Sequence, residues 1–373
     1  MTKTLTFKAA VAESLGDGAG KALAVATILK TFTAALMYSI IIGDTTFSLA
    51  QTFGLAAAWP AVFAQRWTVL CAISAALLTP LCLLRSMSIL SYGSVLGIAG
   101  TVYTAAFMGL RCFDGSYLPG GRFHAALAAS AGPLPTFGGA PKPLTSIFVT
   151  VSMLSTAYIA HYNAPKFYSE LKGTTVRKFS GVSLLGFGAA AALFAAMMAF
   201  GFLTFGTATA GNVLNNYAAS DQLAAYARVA ILASMVFGYP LVFVGFRDGL
   251  LDMVLSSSSG KGRSSSSSSS TAPLPVSWRT KDATGVALLA LVTGVACRVR
   301  NLGKVSSVGG ALLGSSIIYV FPCLGFIGAT SKALAAGDLE LTPRLLAERR
   351  LTRAGVILGL LFASIGTAIS LST

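Results

Sequence analysis

The chain has 373 residues, of which 54% are hydrophobic and 10% are charged, and its mean hydropathy is +0.74. Because soluble chains carry about 25% charged residues, this composition leaves too few polar groups to cover a surface in water and excludes a soluble fold. The net charge of +15 does not indicate nucleic-acid binding, because the basic residues lie between long uncharged runs without the aromatic pattern of such sites. We therefore expect the lipid bilayer, and no nucleic acid, as the partner of this chain.

Long uncharged stretches predict an all-α polytopic membrane protein. A helix needs about 20 apolar residues to cross a hydrocarbon core about 30 Å thick, and nine stretches approach or exceed this length. The nine predicted spans are Ala22–Ile42, Thr68–Leu84, Ile89–Leu110, Leu144–Asn163, Ser180–Phe205, Gln222–Phe246, Ala283–Cys297, Val305–Thr330 and Ala354–Ser372.

The uncharged run Thr45–Gln65 is interpreted as a loop, because polar residues and the pair Trp59-Pro60 interrupt it. Residues 1–21 are predicted to be a cytoplasmic segment without a cleavable signal, and residues 22–373 a transmembrane transporter domain. Lys and Arg are more numerous on the side of the amino terminus, which favours a cytoplasmic start. Within the domain, Ser256–Thr280 is so rich in serine that we expect a disordered cytoplasmic loop.

Side chains for catalysis are scarce in this sequence. There are two histidines and five cysteines, none at a metal-ligand spacing, so we expect no enzyme activity, no metal and no cofactor. Apart from Asp44 at the end of the first predicted span, no acidic residue lies near a span interior, so a proton relay based on a buried carboxylate is not supported.

Small residues and prolines mark several predicted spans. The two sets Gly93, Gly97, Gly100 and Gly309, Gly310, Gly314 have the spacing of close helix contacts. Prolines within spans kink or break helices, and broken helices near the bilayer midplane frame the substrate site in many carriers. Three such prolines are present, at Pro80, Pro240 and Pro322.

Three groups of motifs resemble the amino acid/auxin permease family, in particular its neutral amino acid transporters. They keep their order and spacing over most of the chain. They are YSIIIGD with TPLCLLRSMSILSYGSVLGIAG (Tyr38–Asp44, Thr79–Gly100), LSTAYIAHYNAPKFYSELK (Leu154–Lys172), and GFLTFG followed by YARVAIL and YPLVFVGFRD (Gly201–Gly206, Tyr226–Asp248).

The resemblance implies a leucine-transporter-like fold of eleven helices, in which the first ten form two inverted repeats. The nine predicted spans match helices three to eleven, so we expect the family's first two helices to be missing from the chain. One of the two broken helices that frame the substrate corresponds to Leu144–Asn163. Its predicted unwound centre supplies the substrate-binding candidates, which are Ser155, Thr156, Ala157 and Tyr158.

The predicted function is secondary active amino acid transport by alternating access, by a chain that is incomplete as written. The alternative is a membrane protein that does not transport, either a nutrient sensor or a truncated gene product. Sodium coupling is disfavoured, with Ser234 as the one ion-site candidate, and proton coupling stays open. His161 is expected to lie at the cytoplasmic interface, with a titrating role in ion coupling as the alternative. Arg228 matches an arginine of the family's eighth-helix motif, but near a helix end it can simply extend to the outer headgroups, so no catalytic role is expected. The membrane is plasma, vacuolar or lysosomal, which the sequence does not decide.

Overall fold

The structure is a computed structural model that describes residues 7–84, 88–125, 146–160, 164–173, 175–258 and 277–372, and these residues form helices and connecting turns. We number the main helices in chain order. They are α1 Phe7–Leu15, α2 Asp17–Thr52, α3 Arg66–Cys82, α4 Ser88–Phe113, α5 Ser146–Ala157, α6 Ala164–Glu170, α7 Val176–Phe205, α8 Gln222–Ser258, α9 Trp278–Arg298, α10 Leu302–Ala335 and α11 Pro343–Ser372.

Seven of the nine predicted spans coincide with helices that are long and apolar enough to cross a membrane, namely those within α2, α4 and α7 to α11. The other two, α3 and α5, are apolar but shorter. At 1.5 Å per residue, the 12 residues of α5 extend over only about 18 Å, which is less than a hydrocarbon core of about 30 Å. The structure therefore supports an all-helical polytopic membrane protein with seven full-length spans among the described residues.

The interpretation of Thr45–Gln65 as a loop is wrong for its first part, because α2 continues to Thr52. The hydroxyl of Thr52 donates to the Ser48 carbonyl at 3.0 Å, so this polar residue is compatible with a helix. The helix ends where Gly54 takes a φ of 68°, a left-handed conformation that favours glycine. Two single-turn helices follow, Leu55–Ala58 and Pro60–Phe63.

Two of the predicted prolines lie directly after π-helical segments. Pro80 follows the segment Ser74–Leu78 in α3, and Pro322 follows Ser316–Val320 in α10. A proline has no N–H to donate to the preceding turn, and a wider turn relieves the clash of its ring with that turn. Pro240 lies inside α8.

The described residues divide into two compact units. Unit 1 comprises residues 1–33, 142–188 and 304–373, and unit 2 comprises residues 34–141 and 189–303. In unit 1, α1 packs against α10, where the Lys332 ammonium donates to the Glu13 carbonyl. Ser14 lies against Gly328 at the same contact, and a methyl group added to this glycine would come within 2.8 Å of the Ser14 carbonyl oxygen.

Gly97 and Gly100 of the α4 set, together with the glycine set of α10, mark close helix contacts, as the sequence predicts. In unit 2, a methyl group added to Gly97 would come within 2.6 Å of the Ser234 hydroxyl, and one added to Gly100 would come within 3.1 Å of Ala230. In unit 1, one added to Gly310 would come within 1.7 Å of the Ser152 carbonyl oxygen. These glycines therefore allow the helix backbones to approach more closely than any larger residue would permit.

A buried core in unit 2 joins the ends of three helices to the loops beside them. It combines apolar residues of α4, α7 and α8 with aromatic residues of the loops. Its members are Phe107, Met108, Tyr117, Phe123, Phe205, Leu214, Tyr217, Ala224 and Ala227.

The carboxylate of Asp221 holds these loops together. Asp221 is fully buried and accepts two hydrogen bonds of 2.8 Å from the Arg111 guanidinium and one of 3.1 Å from the Tyr117 hydroxyl. It also caps α8 by accepting from the Leu223 N–H at 3.0 Å. Burial, together with the negative charge of Asp221, raises the pKa of Tyr117 above its ordinary value, so this phenol stays protonated as a donor.

Two of the predicted segments, the amino-terminal segment and the serine-rich loop, can be compared with the helices of the structure. Most of the predicted amino-terminal segment is helical, with α1 and the start of α2 separated at Gly16, whose φ is 98°. The centre of the predicted loop Ser256–Thr280 lies outside the described residues, but its two ends are helical, since α8 reaches Ser258 and α9 begins at Trp278.

Candidate substrate cavity

The four predicted substrate-binding residues lie at the carboxyl end of α5. Ser155, Thr156 and Ala157 form its last turn, and Tyr158 follows in a turn whose N–H donates to the Leu154 carbonyl at 2.9 Å. A helix that ends leaves its last carbonyl groups without amide partners from a following turn. His161 lies outside the described residues, so its predicted place at the interface stays a prediction.

A cavity of about 450 Å³ opens beside this helix end, within unit 1. Its lining comes from α5, α7 and α10, with Tyr158 beyond the end of α5. The lining residues are Val151, Leu154, Ser155, Tyr158, Phe187, Ile318 and Tyr319. Ligand pockets for small molecules have volumes of about 300 to 1,000 Å³ and are mostly apolar with a few polar groups, and this cavity has that size and character.

Ser155 is the most informative polar residue of the lining. Its side chain is buried, and its hydroxyl oxygen has no hydrogen-bond partner in the described part of the chain. An unsatisfied buried hydroxyl is costly unless a ligand or water completes its bonding. The structure therefore shows one buried, unpaired polar atom on a residue that lines the cavity.

Aromatic rings line the same cavity on two sides. The ring centroids of Tyr158 and Phe187 are 6.1 Å apart, and Tyr319 contributes a third ring from α10. The seven lining side chains carry no charge. An uncharged lining is suited to a molecule whose side chain is uncharged, because a buried unpaired charge would be strongly disfavoured.

The other two predicted residues do not line the cavity. The Thr156 hydroxyl donates to the Ser306 carbonyl in α10 at 3.0 Å, so this side chain joins α5 to α10. Ala157 is the last helical residue and is not among the lining residues. The structure thus brings Ser155 and Tyr158 to the cavity, while Thr156 acts in helix packing.

Sequence reasoning did not name Phe187, Ile318 and Tyr319 as part of the site. They come from α7 and α10, far along the chain from α5, and only the packing of three helices brings them together. A partial signal was present in the glycines of α10. A methyl group on Gly314 would lie 3.1 Å from the Ser155 side chain, so this glycine marks the turn of α10 that approaches the end of α5.

The prediction that Arg228 extends to the headgroups is wrong. Arg228 is 2% exposed, and its guanidinium donates to the carbonyl oxygens of Leu214, Tyr217 and Ala218 at 2.8, 2.6 and 3.4 Å. The loop preceding α8 folds over the guanidinium and offers these carbonyl groups in place of water. Arg228 therefore acts as an internal brace of this loop.

The ion-site candidate Ser234 lies in α8, where its hydroxyl faces Gly97 of α4 within unit 2. No group of three or more His, Cys, Asp or Glu residues that could hold a metal ion occurs among the described residues. In the structure Ser234 packs between α8 and α4. Its role as an ion ligand stays a prediction.

Seven helices in the described part of the chain are long enough to cross a membrane and define a polytopic membrane protein, and an uncharged cavity lies at the end of its shorter helix α5. A family model described as transmembrane amino acid transporter protein matches residues 2–368. The chain therefore belongs to this family, which confirms the resemblance to amino acid/auxin permeases and an integral membrane location. The family consists of transporters, which confirms that the chain is not an enzyme.

Three relatives illustrate the similarity. Solute carrier family 38 member 8 of Mus musculus is 25% identical over 324 residues, which cover 87% of this chain and 71% of that protein. Amino acid transporter AVT6E of Arabidopsis thaliana is 22% identical over 334 residues, covering 86% of this chain and 63% of that protein. Sodium-coupled neutral amino acid transporter 7 of Xenopus laevis is 24% identical over 240 residues, covering 64% of this chain and 50% of that protein.

Proposed function

We propose that the protein is a secondary active transporter of neutral amino acids, working by alternating access around the cavity at the end of α5. The observation that carries the proposal is the unsatisfied hydroxyl of Ser155 in an uncharged cavity of about 450 Å³. Family membership and the names of the relatives support amino acids as the substrate class.

In this proposal the end of α5 is the broken helix of a leucine-transporter-like inverted-repeat fold. The Ser155 hydroxyl and the last carbonyl groups of α5 bind the backbone groups of the substrate, because a zwitterion needs polar partners in a site without water. The rings of Tyr158, Phe187 and Tyr319 contact its side chain. Thr156 and Ala157 hold the backbone of this turn in place.

Radiolabelled alanine, leucine and phenylalanine uptake into proteoliposomes tests the proposal. In a longer form of the protein, which carries two additional amino-terminal helices from a relative, we expect saturable uptake and a KM increased about tenfold in Ser155→Ala, which corresponds to the loss of one hydrogen bond to a charged group, about 1.5 kcal/mol. Ser364→Ala in α11 is the matched control, since that exposed hydroxyl donates back to the Leu360 and Leu361 carbonyls of its own helix at 2.8 and 3.3 Å. An unchanged KM in Ser155→Ala would move the binding site elsewhere.

The nine predicted spans match helices three to eleven of the family architecture, so the assay compares two forms of the protein. The first is the 373-residue chain, and the second carries two additional amino-terminal helices from a relative. We expect transport by the longer form and none by the shorter. Failure of both forms at matched membrane abundance would contradict transport and favour the sensor alternative.

The coupling ion is tested in the same vesicles. The sequence disfavours sodium, whereas the Xenopus relative is named as sodium-coupled, so sodium is the first ion to test. Replacing sodium with choline and imposing a pH gradient separate the two ions. If sodium drives uptake, Ser234→Ala shows whether the candidate hydroxyl contributes, through a weaker dependence on sodium concentration.

A further inference from the structure

Helices α3 and α9 of unit 2 are joined by a row of polar contacts. At one end, the Arg66 guanidinium donates to the Ala296 carbonyl oxygen at 3.0 Å and also forms an ion pair with Asp44. Further along, the Thr293 hydroxyl donates to the Ser74 hydroxyl at 3.0 Å. These contacts fix the two helices side by side in antiparallel register.

A pair of cysteines lies beside these contacts, since Cys71 is between Arg66 and Ser74 on α3 and Cys297 directly follows Ala296 on α9. The sulfur atoms of Cys71 and Cys297 are 3.9 Å apart, and both residues are free thiols. Cys71 is exposed, whereas Cys297 is partly exposed. Cys297 is next to the last residue of α9, and Cys71 lies five residues into α3, about 7.5 Å along the helix axis. The pair is therefore close to the ends of both helices, within reach of a water-soluble reagent.

We propose that Cys71 and Cys297 form a redox-active dithiol, which a small-molecule disulfide converts into an intramolecular disulfide that cross-links α3 to α9. A sulfur–sulfur bond is about 2.05 Å long, so the two sulfur atoms must approach by roughly 2 Å, a movement that rotation of the side chains can supply. The contacts of Arg66 with Ala296 and of Thr293 with Ser74 keep the helices aligned during this movement.

The chemistry proceeds by thiol–disulfide exchange. One cysteine loses its proton and attacks a sulfur of the small-molecule disulfide, forming a mixed disulfide and releasing one small thiol. The second cysteine loses its proton and attacks the protein sulfur of this mixed disulfide, releasing the second small thiol. The two protein thiols lose two electrons in total, the reagent gains them, and the two protons pass to the released thiolates.

The geometry is specific to this pair. The remaining cysteines are Cys82, Cys112 and Cys323, of which Cys82 is buried near the opposite end of α3. Residues two positions apart on a helix point about 200° apart. A cysteine moved from position 71 to position 73 therefore lies on another face of α3 and provides a matched control.

The test treats the full chain in lipid nanodiscs with oxidised glutathione, blocks free thiols with N-ethylmaleimide, and maps tryptic peptides without reduction. Cleavage after Arg66, Arg85, Lys281 and Arg298 puts Cys71 in the peptide of residues 67–85 and Cys297 in that of residues 282–298. We expect these two peptides to be cross-linked and alkylation of Cys297 to fall about tenfold.

The variants separate this bond from other pairings. Cys71→Ser and the double variant Cys71→Ser, Ile73→Cys should both lose the cross-link and restore alkylation of Cys297. Because the peptide of residues 67–85 also contains Cys82, a cross-link that persists in Cys71→Ser would assign the bond to Cys82 and overturn the proposal. Full alkylation of both cysteines after oxidation, or separate glutathione adducts without a cross-link, would also overturn it.

Discussion

The buried guanidinium of Arg228 donates a hydrogen bond of 2.6 Å to the carbonyl oxygen of Tyr217. This bond ties the first turns of α8 to the loop that precedes it, and Leu214 and Ala218 offer two further carbonyl groups to the same guanidinium. The loop depends on a positive charge placed inside the protein, so changes at this residue should be far more harmful than changes at an exposed arginine.

Replacing Arg228 with methionine should lower the free energy of unfolding by about 2 kcal/mol, because carbonyl groups bonded to a charged donor lose their partner while the side-chain volume is largely kept. Thermal unfolding followed by size-exclusion chromatography in detergent measures the effect. Arg344→Met is the control, since the Arg344 side chain is 90% exposed, and it should unfold at the temperature of the unaltered chain. Equal stability of the two variants would contradict the conclusion that the Arg228 guanidinium stabilises the loop before α8.

Asp221→Asn should destabilise the protein by about 3 kcal/mol, because it removes the fully buried carboxylate that accepts two hydrogen bonds from the Arg111 guanidinium and leaves Asp114 as the remaining carboxylate partner of Arg111. The double variant Asp221→Asn, Arg111→Met should recover part of this loss, because no unpaired charge is then buried. A double-mutant cycle on unfolding temperatures measures the coupling. Strictly additive effects would show that the two residues do not act as a pair.

Asp114 should make a small, pH-dependent contribution to stability. Partial burial raises the pKa of Asp114, but hydrogen bonds from Ser116 and Arg111 lower it by more than burial raises it. The pKa of Asp114 therefore lies below its ordinary value of 3.8. The contribution is therefore present above about pH 4 and is lost as the pH falls through the lower folded value. Asp114→Asn should unfold slightly earlier than the unaltered chain at pH 7, and this difference should shrink as the pH is lowered below about 4. A difference that grows toward acid would have the wrong sign.

Gly310→Ala should disrupt the packing of α5 on α10. The added methyl group would lie 1.7 Å from the Ser152 carbonyl oxygen, so the two helix backbones must separate, at a cost of about 3 kcal/mol or more. Gly294→Ala in α9 is the matched control, since it has nothing within 4 Å and should be neutral or slightly stabilising. Monodispersity and unfolding temperature report the difference, and a well-folded Gly310→Ala protein would contradict this contact.

The orientation in the membrane follows from the distribution of Lys and Arg and predicts that residues 256–280 are cytoplasmic. In a chain whose native cysteines are replaced by alanine, Ser265→Cys should resist a membrane-impermeant maleimide in intact cells and react after permeabilisation. Ready labelling in intact cells would reverse the topology.

The sequence was sufficient for the features that depend on local composition. Uncharged runs located the seven long spans, and glycine spacing located the contacts of Gly97 and Gly310. It was not sufficient where the outcome depends on a distant partner. An arginine near a helix end can either extend to the headgroups or be buried. Arg228 is buried because the folded loop offers the Tyr217 carbonyl to its guanidinium. Phe187 reaches the cavity through tertiary packing, which no local pattern encodes.

The π-helical turns of α10 have a consequence for how this helix tolerates insertions and deletions. Each π-helical turn is equivalent to one extra residue in an α-helix and rotates everything after it by about 100°. Two such turns precede the part of α10 that begins at Phe321, namely Gly310–Gly314, which contacts α5, and Ser316–Val320. Deleting one residue between them would turn the downstream half to a different face, and Tyr319 and Cys323 would no longer meet Gly359 and Gly355 of α11. The direction in which the downstream side chains of α10 point around the helix axis is thus set by the number of residues in the helix, whatever their identity.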